Sequence, residues 1–127
     1  GLIVPAINNE PGLYSARYAG LNATDSDNRN KLISKLKDNK LESTYAYFFC
    51  CIVAVGIKGQ NEIIVCTGKV EGEVRTIERG EKGFGYDPMF YPKGYSESFA
   101  ELNSLEKNKI SHRGQALKKL MDKLNKT

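Results

Sequence analysis

Two short stretches of the sequence hold residue types that could bind a ligand. The first, residues 82–90, reads Lys-Gly-Phe-Gly-Tyr-Asp-Pro-Met-Phe, with a glycine on each side of Phe84 and a proline directly after Asp87. Glycine permits unusual backbone paths, and proline favours extended geometry in the residue before it. Such a loop can present Phe84 as a flat surface beside a carboxylate. Stacking on an aromatic ring gains a base about 1–3 kcal/mol whatever its identity, so polar neighbours must supply selectivity.

The second stretch, residues 106–114, supplies cations close to the start of a helix. Ser111 is a favourable N-cap, which places His112 and Arg113 in the first helical turn. Positive side chains there oppose the helix dipole at a cost of about 0.3–1 kcal/mol, which invites a functional interpretation. Arg113 and Lys107 would supply fixed hydrogen-bond donors, and the helix start would add backbone N–H groups.

Each stretch also has a purely structural interpretation. Phe84, Tyr86 and Phe90 would then fill a core beneath a Gly-Pro turn, and residues 111–114 would be an exposed cap with solvated charges. The first stretch is not a dinucleotide-binding fingerprint, because Pro88 stands in place of the third glycine, and it contains no phosphate-binding G-x-x-x-x-G-K.

Taken together, the motifs resemble the inosine triphosphatase family of nucleoside triphosphate pyrophosphatases. The matching spellings are Gly-Phe-Gly-Tyr-Asp-Pro at 83–88, Phe-Ala-Glu-Leu at 99–102, Glu-Lys at 106–107 and Ser-His-Arg-Gly at 111–114. A further match, Pro-Gly-Leu-Tyr-Ser-Ala-Arg-Tyr-Ala-Gly at 11–20, extends the resemblance over nearly the whole chain. It implies an enzyme that converts non-standard purine nucleoside triphosphates, such as ITP, dITP and XTP, to the monophosphate and pyrophosphate.

The resemblance also implies which residues of this chain contact the substrate. Phe84 would stack on the base. The other members of the set, around the polar edge of the base or completing its pocket, are Gly85, Tyr86, Asp87, Lys107, His112 and Arg113. Donors that face a 6-oxo group would be unpaired opposite the amino group of adenine, which can give roughly 10⁴-fold discrimination. For Arg17, packing within its own loop is favoured over contact with phosphate or a partner subunit.

The family's reaction is a magnesium-assisted attack of water on the α-phosphate, which requires metal-binding carboxylates. By the resemblance these lie upstream, in a Ser/Thr-x-Asn-x-x-Lys segment, a helix carboxylate and an Asp-Ser-Gly whose glycine would correspond to Gly1. None of those side chains occurs here, and the spacing of Asp25, Asp27 and Glu73 does not suggest a substitute. We therefore expect residues 1–127 to be the C-terminal, base-binding part of a larger domain, inactive without its upstream part.

Composition agrees with a single globular domain in the cytoplasm. Of the 127 residues, 40% are apolar and 27% charged, and the net charge of +4 favours a small anionic ligand over a long polyanion. Cys50, Cys51 and Cys66 lie in apolar runs without a C-x-x-C pair, so we expect reduced, buried thiols. The sequence shows no membrane span and no signal peptide.

Hydrophobic patterning predicts an α/β fold, with a mixed β-sheet flanked by helices and incomplete at the N-terminus. An apolar first strand ends at the turn 8–12, and residues 14–20 are predicted to form a loop. The next segment is a helix that starts near Ser26, is capped by Thr24 or Asp25, and stops near Asn39.

The second half of the chain is predicted to contain the central strands and the last helices. Residues 44–57 read as a central, largely buried strand that forms an antiparallel hairpin with residues 62–68. Residues 70–77 continue or bend that strand, with a possible bulge at Gly72. A helical turn at 104–107 precedes a final helix from Ser111, whose apolar positions 116, 117, 120, 121 and 124 form one face.

Two other functional classes remain open on the sequence. One is a non-enzymatic nucleotide- or nucleic-acid-binding module, although no RNA-recognition signature is present. The other is a truncated paralogue that has kept the fold and lost turnover. The family resemblance implies a homodimer, for which the aromatic segment 45–49 is the expected contact surface, and a nucleotide substrate without a nucleic-acid or membrane partner.

Overall fold

A five-stranded sheet with helices packed against it is the framework of the chain. The computed structural model describes residues 1–56, 62–81 and 84–125. The strands are β1 (Leu2–Val4), β2 (Glu10–Pro11), β3 (Ser43–Val55), β4 (Ile63–Arg75) and β5 (Phe90–Pro92). The α-helices are α1 (Asp25–Asp38), α2 (Ser104–Ile110) and α3 (His112–Leu124), and short 3-10 helices cover Pro5–Ile7, Gly12–Arg17 and Asp87–Met89. The predicted α/β class is confirmed.

The long hairpin of β3 and β4 forms the middle of the sheet. The strand order is β2-β1-β3-β4-β5, and each neighbouring pair is antiparallel. The two long strands pair along their whole length, from Ser43 opposite Arg75 to Val55 opposite Ile63. This confirms the predicted hairpin, whereas its connecting residues 58–61 lie outside the described residues.

The prediction that β3 is largely buried is wrong. Burial alternates along the strand: Ala46, Phe48 and Ala54 are buried, whereas Tyr45 and Val53 are exposed. The reason is that the buried residues of β3 all face the helices, so that the other face of the hairpin stays uncovered by the described residues. A run of aromatic and β-branched residues fits a half-covered antiparallel strand as well as a buried one.

The core lies between this sheet and the helices. Phe48 is at its centre, with ring-centroid distances of 4.7 Å to Phe90 and 5.9 Å to Phe99. On α1, Leu32 and Leu36 are fully buried in the same cluster. A smaller cluster joins Ala54, Ile64 and Cys66 to the partly buried Leu120 and Leu124 of α3.

Helix α1 forms as predicted, because its sequence carries both a start and an apolar stripe. The Thr24 hydroxyl accepts a hydrogen bond from the Asp27 N–H, and the Asp27 carboxylate accepts one from the Thr24 N–H, which completes a capping box. The helix ends at Asp38 with Asn39 as its C-cap, close to the predicted end. The cap and the buried leucines together fix the orientation of the first turn of α1 relative to the core.

Several local predictions need correction. Residues 14–20 are not a plain loop, since a 3-10 helix covers Gly12–Arg17. Gly72 lies in unbroken register opposite Ala46, without a bulge; it is required because a Cβ there would lie 2.3 Å from the Tyr91 carbonyl oxygen. The apolar face of α3 is only partly covered, since Leu117 and Met121 are exposed.

The cysteines are free but only partly as buried as predicted. Cys66 is buried, Cys50 is half-buried, and Cys51 is exposed, because it lies on the uncovered face of β3. No helix in the described part of the chain is both long and apolar enough to cross a membrane.

Candidate functional site

A cavity of about 380 Å³ brings together the residues that the sequence singled out. Its walls come from the start of β1, the Gly12–Arg17 helix, the first turn of α1, the segment 84–87 and the junction of α2 with α3. All the predicted substrate-binding residues line it, namely Phe84, Gly85, Tyr86, Asp87, Lys107, His112 and Arg113. Gly83, which belongs to the same motif, lies outside the described residues.

The segment 84–87 folds into a tight turn that leaves Phe84 at the surface. Gly85 adopts φ +61°, a left-handed conformation that favours glycine. The Phe84 N–H donates to the Asp87 carboxylate over 3.3 Å, and the Asp87 N–H donates back to the Phe84 carbonyl over 3.2 Å. The Phe84 side chain remains 60% exposed, whereas Tyr86 and Phe90 are buried. The core-filling interpretation is therefore right for Tyr86 and Phe90 and wrong for Phe84.

Two cations lie against the exposed ring of Phe84. The Lys107 Nζ is 4.8 Å from the ring centroid, and the Arg113 Cζ is 5.7 Å from it. Lys107 is also paired with Asp87, with 2.5 Å between Nζ and Oδ2. Within the described residues Arg113 has no hydrogen-bond partner, so its guanidinium donors face the cavity or solvent.

The cations are positioned by a shared cap between two helices. Ser111 ends α2, donating its N–H to the Lys107 carbonyl over 2.9 Å, and starts α3, accepting from the Gly114 N–H over 3.0 Å. Gly68 lets α3 approach β4, because a Cβ there would lie 1.9 Å from the His112 carbonyl oxygen. The predicted role of Ser111 as an N-cap is confirmed.

His112 lies on the floor of the cavity as a neutral ring. It stacks on Phe48, with 4.9 Å between ring centroids and an angle of 9°. Burial, followed by the nearby positive charges of the Gly1 ammonium, Arg113 and Lys107, lowers the pKa of His112 to about 4. Its Nδ1 is buried and has no partner in the described part of the chain. The ring is thus uncharged near pH 7 and retains one unused polar atom.

Residues that the sequence did not assign to the site also line the cavity. The Asp25 carboxylate accepts the Gly85 N–H over 2.9 Å, and the Ser15 carbonyl accepts the Tyr86 hydroxyl over 2.7 Å. Asn28 is buried and holds residues 16–19 in place, because its side chain accepts from the Ala19 N–H over 2.8 Å and donates to the Ala16 carbonyl over 3.1 Å. The contacts of Asp25 with Gly85 and of Ser15 with Tyr86 join positions 60 or more residues apart, so no local pattern revealed them; the match at residues 11–20 was the one available indication.

Tyr86 and Arg17 each contact a residue of the segment 12–17. Burial raises the pKa of Tyr86, so that its hydroxyl stays protonated and keeps donating to Ser15. Arg17 has its Cζ 5.5 Å from the Tyr14 ring centroid, within its own loop.

The cavity carboxylates do not form a metal site. Among the described residues, no group of three or more His, Cys, Asp or Glu side chains is arranged to hold a metal ion. Asp87 is paired with a lysine, and Asp25 accepts a backbone N–H. A divalent cation prefers several unpaired oxygen ligands, and this part of the chain does not offer them.

Two related proteins match nearly the whole of this chain in sequence. A dITP/XTP pyrophosphatase of Idiomarina loihiensis is 48% identical over 126 residues, and one of Clostridium perfringens is 50% identical over 124 residues. The alignments cover 99% and 98% of this chain, but the chain spans only 62% and 60% of those relatives.

Solved structures agree with the sequence comparisons. A HAM1 protein from Coxiella burnetii superposes with a TM-score of 0.91 at 40% identity, over 100% of this chain and 64% of that one. The Staphylococcus aureus Ham1 protein gives a TM-score of 0.88 at 43% identity, over 98% of this chain and 62% of that one. A family comparison matches residues 1–123 to the Ham1 family. The resemblance found in the motifs is thereby confirmed, and the chain belongs to the Ham1 family.

Proposed function

We propose that the protein hydrolyses non-standard purine nucleoside triphosphates, namely ITP, dITP and XTP, to the monophosphate and pyrophosphate, and that this chain recognises the base. The names of the related dITP/XTP pyrophosphatases support the reaction. The observation that carries the proposal is the exposed Phe84 ring, which lies beside two cations and a nearly buried carboxylate in one cavity.

Phe84 supplies the stacking surface in this proposal. A 60% exposed phenylalanine is costly to leave in water, and a purine covering it would gain about 1–3 kcal/mol. The bound base takes up part of the space that Lys107 and Arg113 now occupy near the ring. The ammonium and guanidinium groups then lie at the edge of the base rather than over the ring.

Lys107 and Arg113 supply the preference for a 6-oxo purine. Lys107 has three donors and gives one to Asp87, which leaves two for a carbonyl oxygen. Arg113 offers further N–H groups. Adenine presents an amino donor at the same position, so these donors would lose their partner, and a discrimination of roughly 10⁴-fold against ATP is within reach of such mismatches.

The remaining members of the set support this geometry. Asp87 holds Lys107 in place and, through its second bond, holds the backbone of Phe84. Neutral His112 offers a polar edge to the base without adding another charge. Gly85 and Tyr86 shape the turn that presents the stacking ring.

Magnesium is the proposed cofactor of the complete reaction, because attack at the α-phosphate requires neutralisation of the triphosphate. The described residues of this chain do not form its site. The 127-residue chain by itself is accordingly expected to bind the base and to show no turnover.

The proposal includes a cytoplasmic homodimer. In the segment 45–49, Tyr45 and Phe49 are exposed on the uncovered face of β3, and their burial in a dimer would remove apolar surface from water. Free cysteines agree with a reducing compartment. Sedimentation of the full-length gene product at micromolar concentration tests the dimer; a monomer there contradicts it.

The experiment for the proposed function is pyrophosphate release from ITP, XTP and ATP, with magnesium, by the full-length gene product. We expect ITP and XTP to be strongly preferred, and Lys107→Ala and Arg113→Ala to reduce the ratio of ITP to ATP turnover. Lys109→Ala is the matched control, because Lys109 lies on the same helix, is largely exposed and does not line the cavity. Equal use of ATP, or salt-sensitive oligonucleotide binding without turnover, would overturn the proposal.

A further inference from the structure

Two side chains from the first turns of α1 form hydrogen bonds with the turn that carries Phe84, although the two segments are far apart in sequence. The Asp25 carboxylate accepts the Gly85 N–H over 2.9 Å, and the Arg29 Nη1 donates to the Gly85 carbonyl over 2.8 Å. Both polar backbone groups of Gly85 are therefore bound by side chains that lie 60 and 56 positions earlier in the sequence. We propose that Asp25 and Arg29 form a clamp that positions Phe84 for stacking and so sets the affinity for the base.

The geometry of α1 makes the clamp possible. Asp25 and Arg29 are four residues apart and therefore lie on one face of the helix. Leu32 and Leu36 anchor α1 in the core, and the capping box at Thr24 fixes its first turn. The two side chains consequently project from a rigid element rather than from another loop.

The turn itself needs such support. Gly85 lies at φ +61°, and a Cβ added there would meet no atom of the described residues within 4 Å, so these residues do not pack against it from the side. Its neighbour Phe84 is 60% exposed. Among the described residues, the hydrogen bonds of Asp25 and Arg29 restrain the backbone directly after Phe84, and the hydrogen bonds between Phe84 and Asp87 restrain the backbone of Phe84 itself.

Arg29 is itself held in place. It forms an ion pair with Glu78, and the Arg29 side chain is mostly buried, with 19% of its surface exposed. The Arg29 guanidinium therefore connects Glu78, which precedes the turn, to Gly85 within the turn. The clamp rests on the proposed function in one respect, namely that Phe84 stacks on a purine.

The decisive comparison is between Asp25→Ala and Asp27→Ala in the full-length gene product. Each aspartate is exposed, lies in the first turn of α1 and accepts one backbone N–H through its Oδ2. The two variants lose the same charge and the same kind of bond, but only Asp25 contacts Gly85. A general effect on the helix therefore appears in both variants, and a positioning effect appears in Asp25→Ala alone.

We expect Asp25→Ala to raise the KM for ITP on the order of fivefold with kcat nearly unchanged, because the turn must be ordered when the base binds. Asp27→Ala should leave KM within about twofold and lower the melting temperature as much as Asp25→Ala does. Asp25→Asn keeps an oxygen acceptor and should restore most of the affinity. Arg29→Ala should raise KM in the same direction as Asp25→Ala.

Equal KM values for Asp25→Ala and Asp27→Ala would overturn the clamp. Failure of the proposed function is a separate result, because it appears in the wild type as a lack of turnover of ITP and XTP. In that event, hydrogen exchange of the Gly85 amide still decides whether Asp25 holds the turn: faster exchange in Asp25→Ala than in Asp27→Ala supports the clamp, and equal rates refute it.

Discussion

The ion pair between Lys107 and Asp87 should be worth far more than a surface pair, and replacing Lys107 by methionine tests this. The Asp87 side chain is only 8% exposed and the Lys107 side chain 21%, with 2.5 Å between Nζ and Oδ2. Without Lys107 the carboxylate keeps one 3.3 Å bond from the Phe84 N–H. Breaking a buried pair costs about 3–5 kcal/mol, and the partial access of water to Lys107 places this case near 2–3 kcal/mol.

The assay is urea unfolding of the Lys107→Met, Asp87→Asn and double variants. Asp87→Asn should cost about 1 kcal/mol, because an amide oxygen still accepts from Phe84 and Lys107 can turn to solvent. The double variant should cost less than the sum of the singles by about 1–2 kcal/mol. In the full-length gene product, Lys107→Met should lower the melting temperature by roughly 5–10 °C.

Lys109→Met is the control, because Lys109 lies on the same helix, has a 73% exposed side chain and forms a 3.9 Å pair with Glu106. It should change the free energy of unfolding by less than about 0.5 kcal/mol. If Lys107→Met is no more destabilising than Lys109→Met, or if the two single variants are additive, the pair does not hold Lys107 in place. Asp87 would then not be the group that positions the donors for the base.

Three further predictions concern elements that shape the cavity. Gly68→Ala should destabilise the protein by about 3 kcal/mol in urea unfolding, because the new Cβ would lie 1.9 Å from the His112 carbonyl oxygen; a smaller effect than for Ser26→Ala would contradict this close packing. Folding lowers the pKa of His112 from 6.5 to about 4, so the unfolded chain binds more protons between these values and stability falls as pH is lowered through that window. His112→Phe, which keeps the stacking on Phe48, should show a smaller fall over the same pH range; an unchanged pH profile would contradict it. Thr24→Ala should cost about 1 kcal/mol by loss of the N-cap, against a small effect of Ser26→Ala, as measured by thermal unfolding; equal effects would rule out the cap.

Local features of the fold could be predicted from the sequence where neighbouring residues determine them. The limits of α1 follow from Thr24 and from the leucine spacing, and the start of α3 follows from Ser111. The β3–β4 hairpin was predictable because its strands are adjacent in sequence. Burial of β3 was not, since it depends on which face the distant helices cover.

The candidate site, like the fold, could be predicted from the sequence only in part. The motif resemblance named seven residues, and the fold brings all of them to one cavity. The contacts of Asp25 with Gly85 and of Ser15 with Tyr86 could not be predicted, because each joins positions 60 or more residues apart. Such pairs depend on the sheet order, which the sequence of either segment does not contain.

The discontinuous wall of the cavity also has a kinetic consequence. Its residues extend from Gly1 to Arg113, so the cavity exists only after β1, α1 and α3 have docked on the sheet. We expect the contacts of such a discontinuous cavity to form late in folding, and a ligand that stabilises late contacts slows unfolding rather than speeding folding. A bound nucleotide should therefore prolong the lifetime of the folded chain without helping it to fold, and at about 100 times its Kd it would add about 2.7 kcal/mol of stability.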